Sequence, residues 1–260
     1  MMGGRLYPTK LGSEMEVVAC NIACDMGQNC EQNGHTSACV QLIGLAVACI
    51  AARGMTDGDG PPRAQQMADR ILEFASESGI GRSFDEGEKS MLARPAGAWS
   101  PMERNQASWL FEGLSVLAWA VKQSQLPAFE TKGHATQVGL ALGLFKPGIA
   151  EQMGLWPMRS LDEITPWAAH YFALNWRLHH YFMKPEKMDF EAVLRDQNWP
   201  PSVRKSLDLI DGDLILDGRA LPEVGEARLS EVFGIVRERC KAFRWLTGYD
   251  ASYATVAPVQ

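Results

Sequence analysis

"SPMERNQASWLFEGLSVLAWAVKQSQLP", Ser100 to Pro127, is the stretch from which the fold of this chain is best read. Ser100 suits an N-cap, Pro101 suits the first helical position because that residue needs no N–H, and Glu103 can reach back to the Ser100 amide, completing a capping box. Beyond it Leu110, Leu114, Leu117 and Val121 recur at alternating intervals of 4 and 3, which is one apolar stripe of a helix. Asn105, Trp109, Glu112, Val116 and Trp119 form a second stripe, so the helix is apolar over much of its circumference and is expected to be central. Pro127 is expected to close it.

The same grammar recurs on both sides. Upstream, "TSACVQLIGLAVACIAARG" reads as a core helix with Gly54 as its stop, and "RAQQMADRILEFASESG" as a helix carrying Met67, Ile71 and Phe74 and ending at Gly79. Downstream, short helices are expected at "TQVGLALGLF" and "GIAEQMG". In "SLDEITPWAAHYFALNWRLHHYF", Ser160 and Glu163 form a second capping box, Pro166 falls near the first turn, and Trp167, Tyr171, Leu174, Leu178 and Tyr181 make the buried stripe. "SVRKSLDLID" reads as a short helix ending at Gly212, and the Asp-Gly pair of "DLILDGRAL" predicts a tight hairpin. The last helix, "EARLSEVFGIVRERCKAFRWL", should bury Leu229, Val232, Phe233, Val236, Cys240 and Phe243 and stop near Gly248, leaving Arg237, Lys241 and Arg244 as a solvated basic face. Residues 1–35 read as an N-terminal extension and residues 36–260 as one mainly α domain of about six to eight helices with one short β-hairpin.

At 260 residues, 46% apolar and 22% charged, the chain can bury a substantial core without disulfides. A formal charge of −6 argues against nucleic acid as a partner, since such proteins gain affinity by neutralising phosphates. The longest uninterrupted apolar run, Leu42 to Ala52, covers only about half of the roughly 20 residues a membrane helix needs, so no membrane association is expected. The opening residues lack a basic stretch followed by an apolar one, and a cytoplasmic location with reduced thiols is the expectation.

Three segments, "ERNQASWLFEGLSVLAWAVKQSQLP", "DGDLILDGRALPEV" and "RERCKAFRWLTG", resemble in this order segments of the bacterial family called domain of unknown function 4272, and the likeness runs from about Thr36 to Ala254. The resemblance implies a mostly helical bacterial domain and brings no activity, substrate, cofactor or catalytic residue. Near the end the chain departs from the family pattern, reading Cys240 and Arg244 where the family has His and Asn.

The candidate chemistry is sparse. Cys20, Cys24, Cys30 and Cys39 with His35 crowd the N-terminal region, but their spacing matches no standard zinc or iron–sulfur arrangement, and Cys49 continues the series into an apolar helix, so no metal or other cofactor is expected. Glu112, flanked by Trp109 and Val116, is the strongest polar candidate: either a general acid or base in an apolar setting, or half of a buried ion pair with an arginine such as Arg177 or Arg244. Asn175, Trp176, Arg177 and His179 make a second polar and aromatic group, with His180 beside them. Adjacent histidines on a helix point about 100° apart and cannot share one ion, and His170 is expected to be an ordinary core or surface residue. No serine or cysteine shows a local pattern of activation, and no P-loop or dinucleotide motif is present.

Two readings follow. The first is a non-catalytic protein that binds another macromolecule, as an accessory, regulatory or toxin-neutralising component. The alternative is an enzyme or small-ligand-binding domain with a pocket around Glu112, lined by Trp109, Trp119 and Asn175 between the two long helices; Asn105, Trp176, Arg177 and His179 are further candidates for contact with a ligand or partner.

Overall fold

The structure, a computed structural model, describes residues 35–253; the possible helix at residues 14–27 and Cys20, Cys24 and Cys30 lie outside the described residues. The fold is mainly α with a small antiparallel sheet. Ten α-helices occur among the described residues. The long ones are α1 (Ser37–Thr56), α2 (Pro61–Glu77), α4 (Pro101–Ala120), α7 (Leu161–Met183) and α10 (Glu226–Leu246). Shorter ones are α3 (Glu86–Leu92), α5 (Ala135–Leu142), α6 (Ile149–Gln152), α8 (Phe190–Asp196) and α9 (Pro201–Ser206). The number exceeds the expected six to eight because short helices add to the long ones, α3 among them, which starts at an Asp85–Glu88 capping box.

Both anticipated capping boxes form, at Ser100–Glu103 and Ser160–Glu163. Helix α4 ends at Ala120 rather than running on to Pro127, because Lys122 takes the left-handed conformation (φ 57°) and Gln123 N–H donates to Ala118 O at 2.9 Å, a terminating motif that usually uses glycine. Gly54 does the opposite of what was expected and continues α1: a Cβ there would run into Ala107 of α4, so the residue is small in order that two core helices can touch. Pro166 lies inside α7 beyond its first turn.

The helices are arrayed in the order α1, α4, α10, α7, each packing on the next, with α2 and α5 covering α1 and α4. Helix α4 is central, as its two apolar stripes require: one meets α1, the other α10. Trp109 lies on Gly234 of α10, and the absent side chain there lets the indole approach the helix backbone. Helix α1, at 20 residues, is long and apolar enough to cross a membrane by length and composition, and 72% of its window is buried inside the fold, as the reading of Leu42 to Ala52 as part of a core helix expects. Trp167, expected in the core, is 43% exposed, and Phe233 is half-buried.

The sheet holds one more strand than the single hairpin anticipated. Strands β1 (Leu209–Ile210), β2 (Asp213–Leu216) and β3 (Arg219–Ala220) form an antiparallel meander, pairing Leu209 with Leu214 and Leu216 with Arg219. Asp217 and Gly218 have φ 52° and 72°, as a type I′ turn demands, and Asp211 and Gly212 repeat the arrangement at 50° and 80°. Residues 209–212, expected to end a helix, are a strand and turn, because Asp211-Gly212 forms the same tight turn as Asp217-Gly218.

Candidate functional site

Arg53, Arg177 and Arg239 are among the largest fully buried side chains, and each is paired with a buried carboxylate and tied to backbone carbonyls of a loop. Burying a guanidinium requires this, because each unmet N–H costs free energy away from water. Arg53 pairs with Asp57 and donates to the carbonyls of Ala64, Arg94 and Pro95, while Asp57 accepts from the amides of Gly97 and Trp99. Arg177 forms a two-pronged pair with Asp213 (2.6 and 2.7 Å) and donates to Glu186 O; Asp213 also accepts from the amides of Met188 and Leu214.

The partner of Glu112 is Arg239, neither Arg177 nor Arg244. The guanidinium donates to Oε2 of Glu112 through Nε (3.1 Å) and Nη2 (2.7 Å), to the carbonyls of Pro127, Ala128 and Thr131, and to the Tyr171 hydroxyl at 3.0 Å. Oε1 of Glu112 accepts from the Gly133 amide at 2.8 Å. Both carboxylate oxygens and all three guanidinium nitrogens are therefore engaged. Arg244 instead pairs with Asp250 at 2.7 Å and lies over Tyr249, so part of the supposed solvated face of α10 is occupied; Arg237 alone of that set is exposed, and Lys241 is half-buried.

The other anticipated residues do not converge. Helix α10 packs on both α4 and α7, and its Arg239 guanidinium occupies the space against Glu112 where the pocket was expected. Asn105 is exposed, Trp109 packs on α10 under Lys132, and Trp119 is a core residue set edge-on to Phe243. Trp176 stacks between His180 and Phe190, whereas His179 faces Phe233 of α10, on another side of the helix. Asn175 is half-buried. Near the N-terminus, His35 stacks on Trp245 and bonds its carbonyl at 2.8 Å, with the Cys39 thiol 3.9 Å from its other nitrogen. Burial pushes the Cys49 and Cys240 thiols up to about 12, which makes them inert core groups. No group of three or more metal-ligating side chains occurs among the described residues.

Two cavities carry more chemistry than the anticipated pocket. One, of about 390 Å³, lies between the loop that Arg239 holds and helices α7 and α9, and is lined by Phe129, Glu130, Trp167, His170, Tyr171, Ser206 and Asp208 among others. Ser206 Oγ sits 2.8 Å from His170 Nδ1, a pairing that sequence spacing cannot show because 36 residues separate the two. The hydroxyl donates to Val203 O at 2.8 Å, which leaves it to accept from Nδ1–H. That polarity is the reverse of an activated serine, whose proton must go to the histidine. Burial lowers the His170 pKa to about 4, with Asp208 opposing the shift, so the ring is neutral near pH 7.

The other cavity, about 510 Å³, is a cleft bounded by α1, α2, α4 and α5. Met55, Met67, Phe111, Leu140, Leu144 and Phe145 line it, with Arg70 and Lys146 also on its wall. Met55 is 46% and Leu140 67% exposed. Phe145 is held at φ 61°, a conformation a bulky side chain rarely takes, with the Arg70 guanidinium 4.1 Å from its ring centre. Lys146 donates to the neutral amide of Gln152, and neither cation has a carboxylate partner among the described residues.

The chain matches no protein-family model, no curated protein and no solved structure.

Proposed function

We propose that this is a non-catalytic cytoplasmic protein that works by binding another protein, with the cleft between α1, α2, α4 and α5 as the surface of recognition. The observation that carries the reading is the combination of exposed Met55 and Leu140 with Arg70 and Lys146, two cations without acidic partners among the described residues. Apolar groups exposed together around a concavity favour a partner, and methionines adapt to side chains of different shape. The unmatched cations select an acidic segment, and Phe145, strained at about 1–3 kcal/mol, is the kind of backbone outlier that gathers at ligand clamps. The engagement of Glu112, Asp57 and Asp213 in buried ion pairs supports the non-catalytic half of the proposal, since none is free to exchange a proton with a substrate. The order of the three family-like segments supports placing the chain in the bacterial domain of unknown function 4272 family, which adds no activity.

The test is a photo-crosslinking amino acid placed at Leu140 and, as a control, at exposed Asn105 in the native host. A discrete adduct is expected from position 140 and not from 105, and it should disappear when Arg70→Glu is added while the melting temperature stays the same. Equal adducts from both positions, or an adduct indifferent to Arg70→Glu, would overturn the proposal.

A further inference from the structure

The 390 Å³ cavity beside α7 is walled by aromatic rings and hydrogen-bond acceptors, and among the described residues no Lys or Arg lines it. Its carboxylates are Glu130 and Asp208. Glu130 Oε2 already accepts from the Asp217 amide at 2.8 Å, whereas the Asp208 side chain has no hydrogen bond or ion pair among the described residues. His170, 8% exposed, uses Nδ1 on Ser206, and its Nε2 makes no hydrogen bond to the described residues. Because Nδ1 carries the proton, Nε2 presents a lone pair. Phe129, Trp167 and Tyr171 meet the His170 ring edge-on, at 5.6 to 6.5 Å between centres. A neighbouring cavity of about 210 Å³ shares Phe129, Glu130 and Asp208; the Asp217 carboxylate on its wall is already paired with Arg228 at 2.9 and 3.0 Å, so Asp208 is the carboxylate with neither a hydrogen bond nor a cation partner among the described residues.

We infer that this cavity is a binding site for a protonated amine carrying an apolar group. Three features of the cavity select that class. A carboxylate and an imidazole lone pair both require a donor from the ligand, and an ammonium supplies up to three. Aromatic faces attract a cation that has left water, which favours ammonium over a neutral alcohol of the same shape. The size, about 390 Å³, falls within the range of small-molecule sites, and the ring walls leave the rest of the ligand an apolar environment. An anion would face two carboxylates with no counter-cation among the described lining residues.

The site is also held rigid from behind. Arg239 donates to the carbonyls of Pro127 and Ala128 and to the hydroxyl of Tyr171, all cavity-lining residues, so the Glu112–Arg239 pair positions one wall without touching a ligand. The inference is independent of the cleft described above, which lies on other helices.

Binding is tested on the full chain by titration calorimetry with 2-phenylethylammonium, 2-phenylethanol as the neutral isostere and 3-phenylpropionate as the anion. Saturable binding of the ammonium is expected, at least about tenfold tighter than the alcohol, with none for the anion. Asp208→Asn, at an exposed position, should weaken the ammonium about tenfold without moving the melting temperature, and Trp167→Leu should weaken it without restoring the alcohol. Binding of Nα-acetyl-lysine methylamide at the same site would support the inference with a peptide lysine as the source. Alcohol binding as tightly as ammonium, no saturable binding by either, or ammonium binding indifferent to both substitutions would overturn it.

Discussion

Arg239 and Glu112 meet in the interior with Nη2 2.7 Å from Oε2, although 127 residues separate them along the chain. The pair bonds α10 to α4 and, through the carbonyls of Pro127, Ala128 and Thr131, holds the connecting loop against both. Glu112→Ala would leave a buried guanidinium without its counter-charge and is expected to cost about 3–5 kcal/mol, read as a large fall in melting temperature. Glu112→Gln should also destabilise, because its amide NH₂ must face either the guanidinium or the Gly133 N–H, both donors. A melting temperature equal to or above that of the native protein in Glu112→Gln would show that the carboxylate serves function at the expense of stability.

Gly54→Ala places a methyl group against Ala107 where α1 crosses α4. Overpacking at a helix contact costs about 1–3 kcal/mol. Ala107→Gly in the same chain should recover most of that loss despite its lower helix propensity, and a double-mutant cycle by chemical denaturation measures the coupling. Additive effects would mean that the two helices do not approach as described.

The two Asp-Gly turns should respond differently to the same substitution. Gly218→Ala meets no neighbour, so its cost is that of a left-handed alanine, about 1 kcal/mol. Gly212→Ala adds a contact at 2.8 Å with the Asp189 carboxylate, the N-cap of α8, and should cost more. Urea titrations of both variants give the order.

His170 makes stability depend on pH in a defined window. Its folded pKa is about 4 against an ordinary 6.5, so between these values the unfolded chain binds the proton that the folded one refuses. This contribution is fully present above pH 6.5 and is lost as pH falls towards 4, by up to about 3 kcal/mol. His170→Gln should flatten the stability profile across that window, a difference visible in melts between pH 4.5 and pH 7. A profile unchanged by the substitution would mean that the ring takes up a proton without leaving its site.

What the sequence determined by itself is local. The Ser100–Glu103 and Ser160–Glu163 capping boxes, the Asp217-Gly218 turn and the two apolar stripes of α4 are contacts between residues a few positions apart, so spacing along the chain specifies them. What only the tertiary structure decided is which distant groups meet. Glu112 had several arginines to choose from, and Arg239 is its partner because α10 lies beside α4 with that side chain turned to Glu112, while Arg244 on the same helix pairs with Asp250 and Arg177 on α7 with Asp213. The role of Gly54 depends on a crossing with Ala107, and the pairing of His170 with Ser206 depends on where α9 docks on α7. Side chains of similar charge and size are interchangeable in a one-dimensional reading; packing separates them, since a buried charge must find its partner within about 3 Å and only the arrangement of the helices sets which residues come that close.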